Sequence, residues 1–251
     1  MSNGTRLLPL SALFLAAFGF ISCGDNTADG AYGSRLSATI EAVQAAAGFP
    51  AYTTWSGVVD KRVAVRADGV VKTYYVDNGG MLDCAEPFQL NADGTLVIDA
   101  WHPFNNGVLI QNVTVKSDQS VPANYHASDC IGVFNATVSA DNTNIIFLHR
   151  TAKVVCRVSS EAEQNFLLSI DGVTGVTGGG NSVTMTADNM ALLAPQTLVG
   201  GSVSITAHFS DGYFSQTVLS DDLVLEAGNA YYFDVTISAE RSLIAGFIGN
   251  T

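Results

Sequence analysis

Asp118-Gln-Ser120, Asn124-Tyr125, Ser128-Asp129 and then Ile145-Ile-Phe-Leu-His-Arg-Thr-Ala-Lys-Val-Val-Cys-Arg-Val158 make up the stretch from which the rest of the chain is read. Its second half is dense in β-branched residues and has one polar interruption, His149-Arg150. That pattern predicts a buried strand that breaks and resumes as another.

The same grammar runs outward in both directions. Toward the N-terminus, Leu36 to Glu41 alternates as a strand, and Ala42 to Ala47 forms a helical turn or a loop before Gly48-Phe-Pro50. Trp55 reads as a buried aromatic. Asp68-Gly69 between two alternating runs is a hairpin signal. Asn78-Gly-Gly80 and Asn91-Ala-Asp-Gly94 mark turns, and Thr95 to Trp101 and Val108 to Val115 read as strands. Toward the C-terminus, Asp141-Asn-Thr-Asn144 reads as a linker. It is followed by strands at Phe166 to Ile170, Ser182 to Thr186, Ala191 to Leu193 and Ser202 to Phe209, a hairpin at Asp211-Gly212, and a closing strand that ends at Ile237. No stretch before residue 118 holds a helical period. Strands at this spacing predict an all-β fold of two successive units.

The chain has 251 residues, enough for two ordinary cores, and carries 11 Lys and Arg against 23 Asp and Glu, a net charge of -12. No basic run is present, which excludes nucleic acid as a partner and excludes adhesion to anionic lipid through a basic patch. At the start, Arg6 precedes an apolar run from Leu7 to Ile21, and Ser22-Cys23 leads into the polar Gly24 to Gly30. This is the order of an export signal, and Phe20-Ile-Ser-Cys23 resembles a bacterial lipobox with Phe in the place of the commoner Leu. An uncleaved anchor and an ordinary secretory signal are the alternatives. Residues 24 to 34 form a small-residue tether.

Chemistry is sparse. Cys84, Cys130 and Cys156 fit no zinc spacing; they read as buried thiols, with an oxidised Cys130 to Cys156 pair as the alternative. His102, His126, His149 and His208 stand in four different settings. Ser128, Asp129 and His149 form a Ser-Asp-His set on paper, but no nucleophile elbow accompanies it, so no catalytic residue is assigned. Gly178-Gly-Gly180 lacks the Lys-Ser/Thr of a phosphate loop, and Asp141 to Asn144 lacks the Gly and distal Glu of a calcium loop. No cofactor or metal is expected. Trp55, Trp101, Tyr74, Tyr75, Tyr231 and Tyr232 serve as core or cross-strand aromatics; the alternative is a surface glycan-binding protein that stacks sugars on them. Ser242 to Ile248 is apolar on both faces, with Leu243, Ala245 and Phe247 on one side. It reads as a final strand of its own unit, or as a strand donated to a neighbour.

The series Asp118-Gln-Ser120, Asn124-Tyr125 and Ser128-Asp129, with the strand ending Phe147-Leu-His-Arg-Thr-Ala-Lys153, resembles that of two-domain fimbrillins, the pilus-building lipoproteins of Bacteroidia-type bacteria. Trp55-x-Gly57 with Arg62-Val-Ala-Val65, Ala100-Trp-His-Pro-Phe104, and Leu225-Glu-Ala-Gly-Asn-Ala-Tyr-Tyr232 are similar to further elements of that family. The resemblance implies two tandem transthyretin-like β-sandwich domains after a lipoprotein signal peptide. Its divisions would be a signal peptide over 1–22, a lipidated tether over 23–35, and sandwiches over 36–143 and 144–251. It further implies lipidation of Cys23, a lipid anchor in the outer membrane, and assembly with other fimbrial subunits by β-strand exchange. The surface fimbria so formed would adhere to host or bacterial receptors. In the family an arginine-specific protease removes the first strand and opens a groove for a donated one. Here Arg35 precedes that strand and no arginine lies between Ala42 and Thr54, so cleavage at Arg35 trims the tether alone. That departure leaves tip, accessory and anchoring roles open beside the shaft.

Overall fold

The computed structural model describes residues 36–41, 54–58, 60–162 and 165–251. The N-terminal half of these builds a sheet from β1 (Ser37–Ile40), β2 (Arg62–Ala67), β3 (Val70–Val76), β4 (Leu82–Asp83), β5 (Thr95–His102), β6 (Ile131–Ser139) and β7 (Asn144–His149). The spatial order is β1-β7-β6-β5-β2-β3-β4. β2 and β3 join through Asp68 and Gly69, both at positive φ, the two-residue turn whose twist suits adjoining antiparallel strands. Alternate residues enter one core: Val63 and Val65, Tyr74 and Val76, Leu96 and Ile98, Ile145 and Phe147.

The second half adds β8 (Ala152–Ser160), β9 (Phe166–Asp171), β10 (Ser182–Thr184), β11 (Met190–Leu193), β12 (Gln196–Leu198), β13 (Ser204–Phe209), β14 (Phe214–Val218), β15 (Leu223–Leu225), β16 (Ala230–Ile237) and β17 (Leu243–Asn250). Two four-stranded sheets, β10-β9-β13-β14 and β11-β8-β16-β17, enclose a second core, and β12 pairs with β15 beside them. Val154 and Cys156, Leu168 and Ile170, Ile205 and Ala207, and Phe233 and Val235 fill it from facing strands.

The all-β architecture and the hairpins match the expectation. Several local readings do not. Val108 to Val115 forms no strand; only Val115 makes an isolated bridge, to Val176. Residues 122–128, to which the sequence reading assigned no element, form the short helix α1 (Pro122–Ser128), which starts at a proline suited to the first helical turn. Asp141 to Asn144, read as the linker between units, is the turn from β6 into β7. Ile145 and Phe147, which follow it, lie in the first core, and the passage to the second core comes at Arg150-Thr151. Conversely, Val115 and Tyr125 precede β6 in sequence but belong to the second core. The expected helical turn at Ala42 to Ala47 lies outside the described residues.

The opening motif explains how the chain passes between the cores. Gln119 is fully buried, and its side-chain amide clamps one backbone unit of β11: Nε2 donates to Leu192 O (2.8 Å) and Oε1 accepts from Leu192 N (2.8 Å). Asn124 Nδ2 donates to Asp118 O (2.8 Å), and Ser128 Oγ accepts from Lys116 N (2.9 Å). Asp129 then meets His149 at 2.9 Å. The Asp-Gln-Ser, Asn-Tyr, Ser-Asp series therefore supplies backbone partners along a segment that has no sheet of its own.

Candidate assembly site

β1 occupies an unusual place. It pairs with β7 in parallel, Ser37 opposite Asn144 through Ile40 opposite Phe147, and Ser37 N donates to Thr143 O. Its other edge meets the β3–β4 hairpin, where Ala38 N donates to Gly80 O (2.7 Å) and Leu82 N donates to Leu36 O (3.0 Å). Among the described residues β1 thus joins the two ends of the seven-stranded sheet. Leu36, Ala38 and Ile40 point into the core and are buried. Burial of a Leu or Ile side chain is worth roughly 1.5–3 kcal/mol.

Three neighbours shape the slot. Trp55, 3% exposed, donates from Nε1 to Ala38 O (2.9 Å) and lies edge-on to Phe147 and His102. Asp77 Oδ1 accepts from Gly79 N and Met81 N, both at 2.8 Å, which fixes the turn. Gly80, at φ +88°, then lies against the β1 backbone, and a Cβ at that position would come 2.2 Å from Ala38 O. Removing β1 would leave an apolar slot whose walls, β7 and residues 80–82, each present main-chain partners.

β17 carries Leu243, Ala245 and Phe247 at the far end of the chain. It pairs with β16 along its length, from Leu243 opposite Ile237 to Asn250 opposite Tyr231, with a bulge at Tyr232/Phe233. Leu243 is buried, Ala245 packs partly buried against the second core, and Phe247 is 44% exposed. Leu243 N donates to Ser215 Oγ, and Thr217 Oγ1 donates to Leu243 O, so both main-chain groups of Leu243 face away from β16. Antiparallel alternation turns those of Ala245 and Phe247 the same way, toward a 380 Å³ cleft lined by residues 218–223. β17 is thus an edge strand, and no charged residue lies between Ser242 and Thr251.

The other singled-out residues are dispersed. Cys23 and Arg35 lie outside the described residues. Asp129 and His149 come together, but Ser128 does not complete the set: its Oγ donates to Asn124 O and accepts from Lys116 N. Sequence reasoning missed a second grouping on the outer face of the β9 and β13 sheet. There Asp171 accepts from the hydroxyls of Ser169, Ser182 and Thr206, and Ser169 Oγ lies 2.9 Å from His208 Nε2. The carboxylate is held by hydroxyls rather than by the imidazole, so it does not orient a base as a triad requires. Strand register, which aligns Ser169 with Thr206, creates the group, and no local motif announces it.

Cys84, Cys130 and Cys156 are free, and burial pushes the Cys130 and Cys156 thiols up to about 12. Trp55, Trp101, Tyr74, Tyr231 and Tyr232 are all buried, which corrects the sugar-stacking alternative; of that set Tyr75 alone is exposed. Among the described residues no helix is long and apolar enough to cross a membrane, and no group of His, Cys, Asp and Glu is placed to hold a metal.

Residues 58–248 match the sequence model of the fimbrillin-like family. Two of the crystal structures that share the fold illustrate the likeness. One, from Bacteroides ovatus and assigned to cell adhesion, has 15% sequence identity and a TM-score of 0.65, over 86% of this chain and 95% of that one. Another of the same assignment, from Bacteroides uniformis, has 14% identity and a TM-score of 0.57, over 86% and 97%. No curated protein matches the sequence.

Proposed function

The chain belongs to the fimbrillin-like family, and from that premise we propose that it is a structural or accessory subunit of a cell-surface fimbrium, joined to its neighbours by β-strand exchange. The observation that carries this reading is a match between two strands. β1 sets Leu36, Ala38 and Ile40 into the first core, and β17 carries Leu243, Ala245 and Phe247 at the same spacing. A β17 segment from a second copy would offer the β1 slot a Leu, a small residue and a larger apolar residue in the same order. The slot would add main-chain hydrogen bonds on both edges.

In this account the two cores belong to two tandem transthyretin-like sandwich domains. Cys23 is the lipidated first residue of the mature protein, and the anchor and the tether to residue 35 hold the sandwiches off the outer membrane. Its partners are other fimbrial subunits, and the completed fimbria meets host or bacterial surface receptors. Cleavage after Arg35 frees the tether and leaves β1 joined to the body through residue 41 onward. The slot therefore opens by displacement of β1, which suits an accessory, tip or anchoring position as well as the shaft.

Electron microscopy of producing cells with and without the protein, combined with the N-terminal sequence of the mature surface form, tests this. Loss of filaments and a mature start at Cys23 or Leu36 agree with it. Unchanged filaments and adhesion would remove it.

A further inference from the structure

Donation of β17 into a neighbour's β1 slot leaves two apolar surfaces uncovered. The displaced β1 carries Leu36, Ala38 and Ile40 out of the first core. The donor copy loses Leu243 from the second core, along with every main-chain partner that β17 gave to β16. Both losses fall at one contact between copies, because the strand leaves the second core of one and enters the first core of the next.

β1 fits the vacated place by register and by side. Set along β16 as β17 is, Leu36 stands opposite Ile237, Ala38 opposite Val235 and Ile40 opposite Phe233, the positions held by Leu243, Ala245 and Phe247. Alternation then turns Ser37 and Thr39 outward, opposite the exposed Thr236 and Asp234. There Ser37 replaces Ile244, which is 69% exposed, so the outer face becomes more polar. The connections allow both movements. The chain over residues 41–53 is long enough to span roughly 45 Å, so β1 can travel while Trp55 keeps its place. β17 follows a tight turn in which Ser238 N donates to Ser242 O (2.9 Å) and Arg241 sits at φ +65°, a costly conformation for a residue with a side chain. Opening the turn releases Arg241, and short hinges of this kind favour swapping.

On the reading that β17 enters a neighbour's β1 slot, we propose that the exchange is reciprocal: the displaced β1 takes the place of β17 beside β16 of the donor copy. Each junction then keeps both cores filled and both ladders paired. The two sites lie on different cores, so the contact is heterologous and repeats from copy to copy along a filament.

Double-cysteine variants of the full chain, expressed in the producing cell in a Cys84→Ser background, separate the two halves of the exchange. Ser37→Cys with Thr236→Cys reads the return of β1, because Ser37 would stand opposite Thr236. Ile146→Cys with Gly246→Cys reads the donation of β17, because Gly246 would take the position of Thr39 opposite Ile146. Ile146 and Gly246 are exposed, and a Cβ added at Gly246 meets nothing within 4 Å. A short bifunctional thiol reagent is applied to whole cells, and covalent multimers are read on a denaturing gel; a yield no greater than that of the single-cysteine variants counts as none. Multimers from both pairs are expected. Multimers from Ile146 and Gly246 alone overturn reciprocity and leave donation of β17 standing. Multimers from Ser37 and Thr236 alone overturn it as well, because β1 then moves without a returning strand. Absence from both pairs overturns donation and reciprocity together. Thr39→Cys with Asp234→Cys reads the same return of β1 and decides the matter if the first pair does not reach the surface.

Discussion

Gly80 abuts the carbonyl of Ala38 so closely that no side chain fits between them: an added Cβ would stand 2.2 Å from the oxygen, while Gly80 O accepts from Ala38 N at 2.7 Å. The contact joins the β3–β4 turn to the strand that closes the sheet. Both the positive φ and the close approach require glycine.

Gly80→Ala is therefore expected to push β1 out of its slot and to lower stability by more than about 1 kcal/mol. Hydrogen exchange at residues 37–40 checks it. Exchange should accelerate there while β5 and β16 stay protected, and unchanged protection of β1 would contradict the geometry.

Gln119→Leu leaves the N–H and C=O of Leu192 without partners in a fully buried setting, and should cost roughly 2–4 kcal/mol. Urea unfolding of the two proteins measures it. A loss below about 0.5 kcal/mol would mean that the clamp contributes little.

The clamp also indicates what the sequence discloses. Turn chemistry and alternation are local, so Asp68-Gly69, Asp211-Gly212 and nearly every strand can be read directly. Pairing across distance cannot. Nothing near Leu36 or Asn144 signals that β1 runs parallel to β7, and nothing near Val155 signals that β8 runs parallel to β16. Val108 to Val115 has strand composition, yet no neighbouring strand takes it up. The polar Asp141 to Asn144 has a linker's composition but serves as a hairpin turn, because Ile145 and Phe147 find their core on the near side of it. Of the candidate site, the apolar alternation of β17 was legible, and its edge position was a matter of topology.

Proline substitutions separate the two edges of β17. Ala245 N–H faces away from β16, so Ala245→Pro should leave the fold within a few degrees of the wild-type Tm, as edge positions tolerate proline. Ile244→Pro removes a ladder donor and should lower the Tm by roughly 10 °C or more. Equal effects in thermal melts would mean that the strand is not paired as described.

Burial drives the pKa of His102 below its ordinary 6.5, against smaller opposing effects of the Arg62 carbonyl, Asp60 and Asp129. The unfolded chain therefore takes up the proton first as pH falls. Stability from the neutral ring is full above about 6.5 and declines from there toward the lower folded-state midpoint. His102→Gln should flatten that slope between pH 7.5 and 5.5 in urea unfolding. An NMR midpoint for His102 at or above 6.5 would contradict the assignment.

What fills the slot between β7 and residues 80–82 when the protein is in use decides whether subunits join by strand exchange. Cryo-electron microscopy of fimbriae from producing cells should show, in that slot, the Leu243–Phe247 segment of an adjoining copy or an equivalent strand of another subunit, with β1 displaced. Filaments in which every copy keeps its own Leu36, Ala38 and Ile40 in place, with subunits joined elsewhere, would contradict it.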